Sequence, residues 1–214
     1  ADGAGCNVPE ISLNIHCSGT HTECVGHLLE KSGDIGKVLT DIMIPAMLIT
    51  VGPRSFDNCR ESYHCDVDDN EQVITKKLIK NEVEKFEEYQ PRALVIRTTP
   101  NPKEKKYYRY TQHTPPFFTN DALRFIISIG IQHLAVDLPS IDRMMDNGLL
   151  GNHKILWGDR ENADGNINPK STNTITELTF IPDNVPDGFY FLNLQLPHFI
   201  CDAAPCRPIL IKSV

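Results

Sequence analysis

Hydrophobic and polar positions change their spacing several times along the chain, and each change predicts a different element. In EISLNIHC, Ile11, Leu13 and Ile15 alternate with polar neighbours, the period-2 pattern of a half-buried strand. AMLITVG (46–52) is a short apolar run ended by Gly-Pro, which predicts a buried strand. The polar stretch 53–70 predicts a loop. From 70 to 90, Ile74, Leu78, Ile79, Val83 and Phe86 fall at helical spacing and Pro91 closes the pattern. ALVIRTT (93–99) predicts a strand, and 101–116 a basic, aromatic loop. TNDALRFIISIG predicts a helix with Thr119 or Asn120 as N-cap and Gly130 as C-cap. IQHLAVDLPS predicts a strand, so 91–140 forms a crossover unit with parallel strands. NHKILWG (152–158) is read as a further short strand and 158–174 as a polar insertion. An apolar pattern resumes over 175–181, and GFYFLNLQLP and RPILIKS are read as the last two strands. The expectation is a mixed α/β fold with a sizeable sheet, one domain over 1–214.

Composition narrows the class. At 214 residues, 40% apolar and 23% charged, the chain can bury a core without crosslinks. A net charge of −7 argues against a nucleic-acid partner. No apolar run approaches the roughly 20 residues of a bilayer span, so no membrane partner is expected. The N-terminus carries no signal-peptide pattern and no initiating Met, which leaves a cleaved or omitted leader open. Seven cysteines, an odd number, read as reduced thiols of a cytoplasmic protein. Proximity leaves Cys59 with Cys65, and Cys201 with Cys206, as pairs able to bridge.

Chemistry concentrates in HCSGTHTECVGH, residues 16–27. His21 and Glu23 are two apart, so in extended backbone both point to one side and can reach one ion. Gly19 allows a tight turn just ahead of them. Cys17 or His16 then supplies a third ligand. Imidazole, thiolate and carboxylate together suit zinc, with manganese or iron next. The spacing is not that of a zinc finger, and C-x-x-C and H-E-x-x-H are both absent. Elsewhere, His64 with Cys65 and Asp66 is a weaker ligand candidate, against a solvated loop. His113, His133 and His198 read as surface or locally satisfied histidines, and Trp157, Tyr107 and Tyr108 as packing residues.

SGTHTECVGH resembles the H-x-G-T-H-x-D-x-P-x-H signature of the cyclase family, which includes bacterial kynurenine formamidases and isatin hydrolases. Downstream, ALVIRT, FFTNDALRFIISIGIQHLAVDLPSID with Asp137, Ser140 and Asp142, NHKILWG, and ITELTFIPDNVPDGFYFLNLQLP resemble further family segments in order. The resemblance implies a swivelling β/β/α domain with a mixed sheet and flanking helices, usually a homodimer or homotetramer. It implies a metal-dependent hydrolase of a small-molecule amide or lactam, holding one or two divalent ions. Carried over by position, His21, Glu23, His153 and Glu177 are metal ligands, and His27 is the general acid or base. Asp137, Ser140 and Asp142 shape a loop near the site, with Asp142 held open as a ligand.

The chain departs from the signature. Cys17 stands at the family's first histidine, with His16 displaced by one; Cys17 ligates as thiolate, a bulge presents His16 instead, or the ligand is lost. Glu replaces Asp at 23, and Cys24-Val25-Gly26 replaces the usual Ala-Pro-x. The resemblance also implies about 40 residues ahead of the motif, so a truncated chain is expected. Two other classes stay open: a non-catalytic relative that binds metal or ligand, and a cysteine-nucleophile hydrolase using Cys17 or Cys24.

Overall fold

The computed structural model describes residues 5–31, 33–86, 88–158 and 166–212. In chain order the elements are β1 (His21–Cys24), α1 (Ile35–Val38), β2 (Ile44–Val51), β3 (Arg54–Ser55), β4 (Gln72–Ile74), α2 (Lys76–Val83), β5 (Ala93–Thr98), β6 (Phe117–Phe118), α3 (Asn120–Ser128), β7 (His133–Val136), α4 (Gly151–Trp157), β8 (Thr174–Glu177), β9 (Gly188–Asn193), β10 (Ala203–Pro205) and β11 (Ile209–Lys212). Eight strands form one mixed sheet in the order β10-β1-β8-β7-β5-β2-β9-β11. β3, β4 and β6 form a smaller one. The fold is the swivelling β/β/α arrangement expected, with the helices flanking the large sheet.

The crossover at 91–140 is present: β5 and β7 run parallel, joined through α3, with Ala93 opposite His133. The Thr119 hydroxyl accepts from the Ala122 N–H at the start of α3, and Gly130 follows its end at φ +86°. That is the left-handed conformation a glycine adopts without strain. Both faces of the central strands are buried. Met47, Ile49, Leu94, Ile96, Leu134 and Val136 pack under Ile79 of α2, Leu123 and Ile126 of α3, and Leu156 and Trp157 of α4. On the other face Ala46, Leu48, Ala93, Val95 and Ala135 meet Tyr190 and Leu192 of β9. Covering on both sides explains why β2 and β5 read as nearly continuous apolar runs, broken only at Thr50, Arg97 and Thr98 near their ends.

Three expected elements differ. EISLNIHC is not a strand: its chain turns in a 3₁₀ segment at Ile15–Cys17, and Ile11 is 79% exposed. The alternation there meets neither a partner strand nor an apolar face. The helix expected over 70–90 is confined to Lys76–Val83 plus a 3₁₀ turn. Val73 and Ile74 pair instead with Phe117 and Phe118, and Thr75 caps the helix by accepting from the Leu78 N–H. NHKILWG lies in α4, not a strand, because His153, Leu156 and Trp157 stand at i, i+3 and i+4 and all are buried. Of the polar insertion, 159–165 falls outside the described residues.

Candidate metal centre

β1 lies between β10 and β8, and all four of its residues are buried. Thr22 turns to one face, toward the Thr176 hydroxyl (2.9 Å) and Cys206 Sγ (3.3 Å). His21 and Glu23 turn to the other. The antiparallel register sets His21 directly opposite Glu177 of β8. α4 brings His153 over the same place, so Glu23, His153 and Glu177 each present a ligand atom within 4.8 Å of the others. His153 Nε2 is 2.9 Å from Glu23 Oε1 and 3.9 Å from Glu177 Oε1, and His21 Nε2 is 3.6 Å from Glu177 Oε2.

The outer nitrogens decide which atoms face inward. His21 Nδ1–H donates to the Gly19 carbonyl at 2.9 Å. His153 Nδ1–H donates to Asp142 Oδ2 at 2.6 Å. Each ring is thus held in the tautomer, and at the angle, that points Nε2 into the cluster. His21 Nε2 is buried and has no hydrogen-bond partner. A buried orphan nitrogen beside two buried carboxylates and a second imidazole fits a divalent cation. Without the cation, protons must compensate. Burial opposes charge on His153, but Glu23 and Asp142 hold its pKa well above the ordinary histidine value. Burial, then the charge on Glu23, push the Glu177 carboxyl up. Burial also works against the charge on Glu23, yet His153 and His16 keep its carboxyl well below the usual range. Burial pushes His21 down.

His16 and Cys17 resolve differently from the position-by-position expectation for Cys17. The 3₁₀ turn at Ile15–Cys17 swings the His16 imidazole inward and leaves Cys17 exposed, outside every group of ligand atoms among the described residues. His16 Nδ1 donates to Glu23 Oε2 (2.9 Å) and its Nε2 to Asp202 Oδ2 (2.8 Å). Hydrogen bonds to Asp202 and Glu23 raise its pKa to about 10. His27 sits on the Val25–Leu28 turn, 28% exposed, with Nδ1 3.3 Å from Asp202 Oδ2. Asp202 was not singled out in the sequence; it lies in CDAAPC, where nothing local marks it, and reaches the cluster only through the β10–β1 pairing. Hydrogen bonds from His16, then from His27, hold its carboxyl far below the ordinary range.

His64 finds Asp142 (4.0 Å) and Asp146 (3.5 Å) rather than Cys65 and Asp66. Like His21 Nε2, His64 Nε2 is buried without a hydrogen-bond partner, and the two rings differ in which nitrogen carries the proton. Asn152 Nδ2 donates to the Phe118 and Ile141 carbonyls, so its Oδ1 accepts from Asn120 Nδ2. Asn120 Nδ2 therefore presents its other hydrogen to His64 Nδ1 at 3.1 Å, which puts the proton of neutral His64 on Nε2, facing the aspartates. His133 Nδ1 lies 2.9 Å from the Thr174 hydroxyl, and burial pushes its pKa down to about 4. His113 stacks on Tyr108, and His198 and Tyr107 are exposed. Trp157 is buried, donating to the Asn173 carbonyl. Asp137 pairs with Lys105 (2.7 Å), Ser140 accepts from the Asp142 N–H, and Asp142 serves His153 as a hydrogen-bond acceptor. All seven cysteines are free thiols. Burial raises the Cys24 pKa, the opposite of what a thiolate nucleophile needs. Among the described residues no helix is long and apolar enough to cross a membrane.

A kynurenine formamidase of Bacillus anthracis is 27% identical over 206 residues, which are 95% of this chain and 79% of that one. A solved structure described as a potential metal-dependent hydrolase with cyclase activity superposes with a TM-score of 0.63 at 21% identity, covering 94% of this chain and 81% of the other. Isatin hydrolase A from Labrenzia aggregata, bound to benzyl benzoate, superposes with a TM-score of 0.61 at 14% identity, covering 95% and 76%. These likenesses show the shared fold. Residues 5–143 match the family described as putative cyclase, and the chain belongs to that cyclase family.

Proposed function

We propose that this chain is a metal-dependent hydrolase that cleaves a C–N amide bond in a small molecule: a formamide, a lactam or a related cyclic amide. The observation that carries the reading is the buried set His21, Glu23, His153 and Glu177, with the unpartnered Nε2 of His21 turned into it. These four residues would hold the ion, and His16 is the further donor beside Glu23 should a second ion bind. Imidazole and carboxylate donors suit zinc first and manganese next. When bound, the ion supplies Lewis-acid polarisation of a carbonyl and a more acidic water. His27 carries the proton. Its Nε2 takes a proton from the attacking water as the water oxygen bonds the carbonyl carbon. The C–N bond then breaks and the same proton goes to the departing nitrogen.

The printed activities of the relatives, kynurenine formamidase and isatin hydrolase, support amide hydrolysis as the reaction class. A cavity of about 400 Å³ lies alongside the centre, lined by Cys17, Gly19, Lys105 and Leu178 among others but by none of the four proposed ligands and not by His27. A homodimer or homotetramer in the cytoplasm is the proposed setting, supported by the family likeness and by seven unbridged thiols. The test is elemental analysis of the purified protein together with turnover of N-formyl aryl amides, isatin and simple lactones. Stoichiometric metal, with activity lost on chelation and restored by zinc, is expected. Full metal content and full activity in His21→Ala would sink the proposal.

A further inference from the structure

A histidine that moves a proton needs one ring nitrogen tied and the other turned to the reacting atoms. His27 Nδ1 faces two carboxylates. Glu23 Oε2 is 4.0 Å away and already accepts from His16, while Glu23 Oε1 is taken by His153. Asp202 Oδ2, at 3.3 Å, is the one within hydrogen-bond distance. Three features fix Asp202 there. The Cys24 N–H donates to the Asp202 carbonyl (3.0 Å), the Ile35 N–H donates to the Cys201 carbonyl (2.9 Å), and Ala203 stands opposite Glu23 in the β10–β1 register. His16 Nε2 donates to the same Oδ2 at 2.8 Å, and the His16 and His27 rings lie 4.2 Å apart.

Gly26, beside His27, completes the arrangement. A Cβ there would come within 2.3 Å of the Gly33 nitrogen and 3.1 Å of Asp202 Cβ. Only a glycine lets the Val25–Leu28 turn pack close enough for the His27 ring to reach the carboxylate.

We infer that Asp202 is a positioning residue for the reaction: it holds a proton on His27 Nδ1 and so keeps Nε2 as the atom that exchanges a proton with water and the leaving nitrogen. The inference rests on the role proposed above for His27. Asp202 touches neither substrate nor ion in this scheme, and acts through the ring it orients.

The experiment compares kcat, KM, metal content and Tm of Asp202→Asn, Asp202→Glu, His27→Ala and the double variant His27→Ala/Asp202→Asn, with N-formylaniline as substrate. Asp202→Asn keeps the shape and removes the anionic acceptor. It is expected to lower kcat about 100-fold, with KM within about 3-fold, with metal content unchanged, and with Tm lowered by the lost His16 contact but still well above the assay temperature. Asp202→Glu should recover part of the loss, and the double variant should be no slower than His27→Ala, because the two residues act as one unit. Wild-type kcat in Asp202→Asn, with His27→Ala inactive, overturns this inference alone. A loss that adds to that of His27→Ala, or a loss of metal or Tm that accounts for it, overturns it too. Wild-type kcat in His27→Ala overturns the role of His27 itself, and this inference with it.

Discussion

Two histidine–carboxylate clusters meet at Asp142, and they differ in where their imidazole protons sit. In the first, the Gly19 carbonyl and Asp142 take the outer N–H of His21 and His153, so both Nε2 atoms turn inward, that of His21 as an acceptor and that of His153 onto Glu23 at 2.9 Å. In the second, Asn120 donates to His64 Nδ1, so Nε2 carries the proton and points it at Asp146 and Asp142. The residue types are nearly the same and both sets bring ligand atoms within 4.8 Å, so the proposal that the cation goes to the first rests on the tautomers. Ligand identity is therefore not enough to recognise a metal site; the hydrogen-bond partner behind each ring has to be read as well.

The largest expected effect comes from removing an inward nitrogen. His21→Ala should lose bound metal and lower kcat by more than about 1000-fold, roughly 4 kcal/mol of transition-state stabilisation. Elemental analysis and turnover on the same preparation check this. Next is the acceptor behind the second ring. Asp142→Asn leaves His153 in place but frees its tautomer, and should weaken metal affinity about 10- to 100-fold, measured by competition with a chelator. In the second cluster the comparison predicts the reverse. His64→Gln should leave metal stoichiometry unchanged and cost about 1–3 kcal/mol of stability, because Asn120 loses a buried hydrogen-bond acceptor. If His64→Gln instead lowers the bound-metal count, the distinction between the clusters fails.

The smallest effect concerns His133, a buried histidine kept neutral by its surroundings. Its folded pKa of about 4 is below the ordinary 6.5. Near pH 8, well above 6.5, neither state is protonated and the full stability is present. As pH falls toward 4 the unfolded chain takes up a proton that the folded one refuses, so stability drops. By pH 6 the loss is about 1 kcal/mol. His133→Gln should flatten this part of the pH–stability curve; an unchanged slope would show that another group causes it.

Much of the frame was legible in local pattern. The crossover at 91–140 follows from two apolar runs around a capped amphipathic helix, and each signal is read within a dozen residues. His21 and Glu23 on one face follow from the two-residue repeat of a strand. The misreadings came where a short segment suits two periods. NHKILWG is too brief to separate strand from helix until Trp157 and Leu156 have a core to enter. Ile11, Leu13 and Ile15 alternate well but have nothing to pair with.

The sequence by itself determined the α/β alternation, the shared side of His21 and Glu23 in extended backbone, and the density of ligand groups around them, because period and composition are local properties. Only the tertiary structure decided that His16 and not Cys17 turns inward, that Asp202 joins from the far end of the chain, and that His21 and His64 hold their protons on opposite nitrogens. Those outcomes depend on register between strands distant in sequence and on which acceptor or donor lies behind each ring. No local pattern of residues encodes a hydrogen-bond partner more than a hundred positions away.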